Sequence, residues 1–175
     1  MKTILFFCIS SALLTTSIFL TGCAAGGDSG TPQTQTSDNS SGEPAAALAV
    51  AHWVKGESVD VSSGVHVVEF WATWCPPCLT SIPHLTELQE KYADRGINII
   101  GVSDEKLATV EAFVKKMGDK MAYTVAIDAG ATSKGYMSKY GINGIPHAFV
   151  VKDGEVVWHG HPMAKLEAAI EDALK

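Results

Sequence analysis

Hydrophobic and polar positions divide the chain into three parts. Met1 to Cys23 is nearly all apolar, Ala24 to about Ala47 is small and polar without a period, and periodic patterns begin only beyond it. His52 to Val61 reads as an opening strand and turn. Val65 to Trp71 (VHVVEFW) is β-branched or aromatic on both alternating faces apart from His66 and Glu69. Such a run predicts a central strand buried on both sides. Cys75 to about Ala93 predicts a helix that Asp94-Arg95-Gly96 ends. Ile97 to Val102 (INIIGV) predicts a second buried strand, followed by a helix from about Glu105 to Met117. Ala122 to Ile127 is a short strand expected at the periphery, and Thr132 to Tyr140 a short helix stopped by Gly141. Ala148–Lys152 and Glu155–His159 flank Asp153-Gly154, a two-residue hairpin signal. Pro162 is expected to open a last helix over Met163–Leu174, since Pro is favoured at helix starts. The order βαβα, then ββα, predicts an α/β sheet with helices on both faces.

Length and charge narrow the picture. A chain of 175 residues holds one ordinary domain plus extensions. The net charge is −6, and Lys115–Lys116 is the sole adjacent basic pair. Nucleic acid is therefore excluded as a partner, because phosphate backbones require clustered Lys and Arg. Electrostatic adhesion to an anionic membrane is equally unsupported. The chain carries no internal repeat.

The N-terminal part has the layout of a secretory signal, with Lys2 ahead of the apolar stretch Ile4–Leu20. Leu20-Thr21-Gly22-Cys23 resembles a bacterial lipobox. That resemblance implies a signal peptide over residues 1–22, a lipidated Cys23 heading a flexible linker over 23–47, and a domain over 48–175. The alternative is an uncleaved transmembrane anchor. Against it stand Ser10, Ser11, Thr15, Thr16 and Ser17 in a stretch shorter than the ~20 apolar residues a span requires. Both readings place the domain on the outer, extracytoplasmic side of a bacterial membrane (the periplasm in a Gram-negative cell), and two or more acyl chains would hold it stably. The linker would span roughly 25–30 Å, which raises the effective concentration towards membrane-bound partners. Cys8 leaves with the signal and Cys23 takes the lipid. Cys75 and Cys78 then remain in an oxidising or redox-controlled compartment.

Trp74-Cys75-Pro76-Pro77-Cys78 sits where the predicted central strand gives way to a helix. A thiol at a helix N-terminus is stabilised as the thiolate by free N–H groups and the helix dipole. Spacing of three brings the second sulfur within one turn, so that one thiol attacks a disulfide and the other resolves the mixed disulfide. A zinc site usually shows a second Cys or His pair, and no second Cys pair exists. A soft copper site would recruit a His beside the two thiolates. A purely structural disulfide has no need of a helix start.

Phe70-Trp71-Ala72-Thr73-Trp74-Cys75-Pro76-Pro77-Cys78 closely resembles the active-site segment of TlpA/ResA-type thioredoxin-like proteins. Pro83 matches the helix-kinking Pro of thioredoxins, and Gly144-Ile145-Pro146 before a strand matches the family's cis-Pro loop. The resemblance runs from about His52 to Lys175. It implies a thioredoxin-like α/β fold, a central mixed β-sheet flanked by helices, with the extra N-terminal and central elements of the TlpA/ResA type. It makes Cys75 the attacking thiol and Cys78 the resolving one, joined by a redox-active disulfide. It also makes the Ile145–Pro146 bond cis, with Ile145 backbone and Pro146 forming the substrate groove and Trp74 exposed over it.

Glu69 matches the buried acid of thioredoxin. Desolvation should raise its pKa, allowing it to accept the proton of Cys78 as a general base. Many members carry Asn there, and a carboxylate that reaches solvent or bonds a neighbour stays open as an alternative. Pro76 and Pro77 have no N–H to offer the Cys75 thiolate, which favours a reducing couple. The resemblance therefore implies a monomeric reductant of disulfides in exported proteins, apocytochrome c among them. A membrane-embedded electron donor would recharge it, and no metal or organic cofactor is needed. A thiol oxidant and a copper-handling chaperone using Cys75, Cys78 and one His are the alternatives. His147 either lines the groove or is structural, and His159-Gly160-His161 reads as a turn, with a metal-binding pair as the alternative.

Overall fold

Val65–Phe70, called β3, is buried along its whole length and forms the middle of a seven-stranded sheet. The computed structural model describes residues 42–175. The expected signal peptide, Cys23 and most of the expected linker lie outside the described residues. The other strands are β1 (Glu43–Pro44), β2 (Val50–Lys55), β4 (Asn98–Ser103), β5 (Thr124–Asp128), β6 (His147–Lys152) and β7 (Glu155–Gly160). Their order is β1-β7-β6-β3-β4-β5-β2. The β3–β4 and β4–β5 pairs are parallel and the rest antiparallel, so the sheet is mixed.

Alternate residues of each central strand serve two cores. Val67, Ile99, Val125 and Val150 pack towards α1 (Pro76–Tyr92), α2 (Leu107–Met117) and α4 (Leu166–Ala173). Val68, Phe70, Ile100, Val102, Phe149 and Val151 face Tyr136 and Met137. Those two belong to a π-helical turn (Lys134–Ser138) that continues the short α3 (Ala131–Ser133). Helices thus cover both faces, as the alternating order requires. Each fully buried aliphatic or aromatic side chain contributes roughly 1.5–3 kcal/mol, which anchors β3 twice over. Asp153 and Gly154 both hold positive φ, 50° and 78°, as a two-residue primed hairpin turn demands.

Three expectations are corrected. The strand expected at the periphery, β5, has an outer neighbour, because β2 pairs with it antiparallel, and Val125 and Ala126 are fully buried. The last helix begins at Leu166 rather than Met163. Residues 162–165 form a turn closed by Ala164 N–H to His161 carbonyl at 2.8 Å. Leu166, Ala169, Ile170 and Ala173 then supply the i, i+3, i+4, i+7 stripe that buries the helix. Residues 42–47, assigned to the linker, belong to the domain. Glu43 and Pro44 pair with Val156 and Glu155, and Ala45 N–H donates to Gly154 carbonyl at 2.8 Å. Tyr136 hydroxyl donates to Ala46 carbonyl at 2.9 Å. Backbone pairing of this kind needs no apolar pattern, so composition does not reveal it. Among the described residues no helix is long and apolar enough to cross a membrane.

Candidate active site

The carboxyl end of β3 feeds directly into the site. After Trp71 the chain turns through Ala72–Trp74, and Cys75 caps α1 from an extended conformation. Cys75 and Cys78 are joined as a disulfide. Pro76 and Pro77 fill the first two helical positions without a backbone N–H. The N–H of Cys78 is therefore the first helical donor to the Cys75 sulfur, at 3.3 Å. The same sulfur lies 3.8 Å from Ile145 carbonyl oxygen, and the Ile145–Pro146 bond is cis. Cys75 keeps 3% of its surface and Cys78 none, whereas Trp74 beside them is 69% exposed. Pro83 lies inside α1.

A cleft of about 230 Å³ runs from Trp74 to Ile145, floored by Phe70, Val102, Met137 and Ile142, with Asp104 and Asp128 also lining it. Its apolar floor and proximity to the dithiol suit an extended chain laid along the cis-Pro loop.

Glu69 is 1% exposed. It stands between Gly101 on β4 and Ala148 on β6, and its Oε2 has no hydrogen-bond partner among the described residues. Burial pushes its pKa up to about 8. The carboxyl is desolvated and does not reach bulk water.

Sequence reasoning missed Glu105 and Thr73. Glu105 accepts from Thr73 N–H at 2.6 Å and from Thr73 hydroxyl at 2.8 Å, with Ser103 hydroxyl at 3.4 Å. One carboxylate thus ties the turn preceding Trp74 and Cys75 to the end of β4. This use explains why α2 begins at Leu107 rather than at Glu105. The signal available was position, since the carboxyl ends of parallel strands are where α/β sheets build sites. Hydrogen bonds to a charged group are worth about 1.5–3 kcal/mol. Glu105→Ala is expected to lower unfolding stability by about 2 kcal/mol, read as a drop in urea midpoint. Glu105→Gln, which keeps one acceptor oxygen, should lose less. Equal midpoints in all three proteins would show that the clamp carries no weight.

His147 and His159 pair through Nε2 and Nδ1 at 3.1 Å, packed on Phe149 and Tyr140. Burial first, then His159 and His161, pushes the His147 pKa down to about 4. His161 accepts from Met163 N–H at 3.2 Å within the turn before α4. Buried His66 contacts Ser63 carbonyl at 2.8 Å. Among the described residues no three His, Cys, Asp or Glu side chains form a metal-binding group. Cys23 lies outside the described residues.

The Redoxin family model matches residues 41–174. Thiol-disulfide oxidoreductase ResA of Bacillus thuringiensis (strain Al Hakam) is 40% identical over 92 residues, covering 51% of this chain and 50% of the relative. ResA of Halalkalibacterium halodurans is 33% identical over 110 residues, 59% of each. The chain spans about half the length of the Bacillus relative. A thioredoxin-family thiol:disulfide interchange protein from Chlorobium tepidum TLS superposes with TM-score 0.65 at 26% identity, covering 78% of this chain and 99% of that one. A putative DsbE from Chlorobium tepidum gives 0.63 at 26% identity, covering 77% and 97%.

Proposed function

The chain belongs to the Redoxin family, and from that premise we propose that it is a thiol-disulfide oxidoreductase acting through Cys75 and Cys78. Its substrates are disulfides in exported proteins, apocytochrome c before haem attachment being one such protein. It works as a monomer on the extracytoplasmic side of the membrane, held by lipid on Cys23. The observation that carries this reading is the Cys75–Cys78 disulfide at a helix start, 3.8 Å from the carbonyl of Ile145.

In the reduced protein the helix N-terminus and the Cys78 N–H favour a thiolate on Cys75. The thiolate attacks one sulfur of the substrate disulfide, and the other sulfur leaves as a thiolate. Trp74 and the Ile145–Pro146 loop hold the substrate chain during this step. Glu69 then takes the proton of Cys78, and the new Cys78 thiolate attacks the Cys75 sulfur of the mixed disulfide. The second substrate thiolate departs. Two electrons have passed to substrate, and the Cys75–Cys78 disulfide has formed. A membrane-embedded donor returns the two electrons.

The direction of flow is tested by the reduction potential of the full chain, equilibrated in glutathione buffers. Two prolines in the first turn withhold donors from the thiolate, so the expected value lies near or below the roughly −270 mV of thioredoxin. A value near the roughly −120 mV of DsbA would make the protein an oxidant instead.

A further inference from the structure

Among the described residues, three buried polar groups behind the dithiol have no hydrogen-bond partner. They are Glu69 Oε2, the Trp71 indole Nε1 and the Tyr123 hydroxyl. The register brings them together. Glu69 and Trp71 are two residues apart and rise on the α1 side of the sheet, where side chains of one face repeat with period two. Glu69 stands opposite Gly101, and neighbouring strands lie only about 4.8 Å apart. Its side chain therefore borders the space above Gly101. Both rings enter that space. A Cβ placed on Gly101 would meet Trp71 Nε1 at 3.0 Å and Tyr123 Cε2 at 3.0 Å. Glycine is required there because the two rings already occupy the room a side chain would take.

A buried polar group left unpaired costs about 1–3 kcal/mol. Three in one place form an unfavourable arrangement while the acid is neutral. A carboxylate changes that balance. The indole N–H is a donor only, and the tyrosine hydroxyl donates readily. A charged acceptor roughly doubles the strength of each bond it receives. We propose that Trp71 and Tyr123 are reserve donors that close on the Glu69 carboxylate when it ionises, and so fix the pH at which it becomes able to take a proton from Cys78. They are positioning residues, and the inference rests on the reading of Glu69 as proton acceptor. No electrons move. The carboxyl releases its proton and gains two donors, then loses them when the proton of Cys78 arrives.

Few other titratable groups complicate the site. From α1 the nearby group is Cys78, a thiol only in the reduced protein, and from the segment before β5 it is Tyr123 itself. β4 and β6 present Gly101 and Ala148. The buried residues of α2 and α4 on this side are Val110, Val114, Leu166, Ala169, Ile170 and Ala173.

The test is carbon NMR of the full chain labelled at glutamate carboxyls, titrated with pH. Glu69→Gln removes one resonance and so assigns it. Tyr123→Phe keeps the ring and deletes only the hydroxyl. It is expected to raise the midpoint of the Glu69 resonance by about half a pH unit or more, and Trp71→Phe to do likewise. A midpoint unchanged in both variants overturns the proposal. If Trp71→Phe does not fold, Tyr123→Phe decides. The measurement does not depend on catalysis. Disulfide-exchange rates in Glu69→Gln separately judge whether Glu69 is the proton acceptor, and an unaltered rate would remove that role while leaving a shifted midpoint valid.

Discussion

Cys75→Ser is expected to reduce disulfide exchange to the uncatalysed background, whereas Cys78→Ser leaves a protein that reacts once and stalls. Although both sulfurs are buried, their positions differ. Cys75 caps the helix, receives the Cys78 N–H and lies 3.8 Å from the Ile145 carbonyl, next to exposed Trp74. Cys78 is wholly covered and bonded to Cys75. A serine hydroxyl does not ionise near neutral pH, so Cys75→Ser has no nucleophile to start the reaction. Cys78→Ser retains the nucleophile and lacks the group that releases the product. Non-reducing electrophoresis with a disulfide peptide should then show a covalent adduct that dithiothreitol removes. An adduct formed by Cys75→Ser and not by Cys78→Ser would exchange the two roles.

The second large effect is on stability against pH. Unfolded, Glu69 releases its proton near the ordinary 4.5, while in the fold it holds the proton up to about 8. Between those values the native state binds more protons than the unfolded one, so stability falls as pH rises. Below 4.5 both states are protonated, so stability no longer changes with pH through this group. A pKa difference of one between the two states corresponds to about 1.36 kcal/mol, so the loss approaches about 4 kcal/mol by pH 8. Total stabilities are commonly about 5–15 kcal/mol, which makes this a large share. His147 works in the other direction on the acid side. Its pKa is lowered to about 4, so its contribution is lost as pH falls from 6.5. The Glu69 limb is therefore read between pH 6.5 and 8, by urea unfolding. Glu69→Gln should flatten that limb and exceed the parent at pH 8. Parallel curves for the two proteins would mean that the carboxyl is solvated.

Local pattern carries much of this structure. The run VHVVEFW, the Asp-Gly hairpin and the Cys-Pro-Pro-Cys helix start each contain their own signal within a few residues. What stays hidden depends on partners far along the chain. The place of β5 is decided by β2, far upstream, whose sequence VAHWVK shows no clear period. Glu105 reads as an ordinary helix-opening acid until Thr73 is brought beside it. Trp71 and Tyr123 look like plain core aromatics, and only register shows that Gly101 makes room for both. The last helix starts later than its sequence suggests, because Pro162 supplies a start signal while burial of the helix begins only at Leu166.

The pairing of Glu43 and Pro44 with β7 bears on where a shortened form should begin. A boundary after Ala47, which composition invites, would strip β7 of its outer neighbour along Glu155 and Val156. It would also remove the Lys139–Glu43 contact at 3.4 Å and the acceptor for Tyr136 hydroxyl. An uncovered strand edge is a template for pairing with another molecule. Self-association of such a shortened protein would then come from the cut itself, so the start belongs before Gly42.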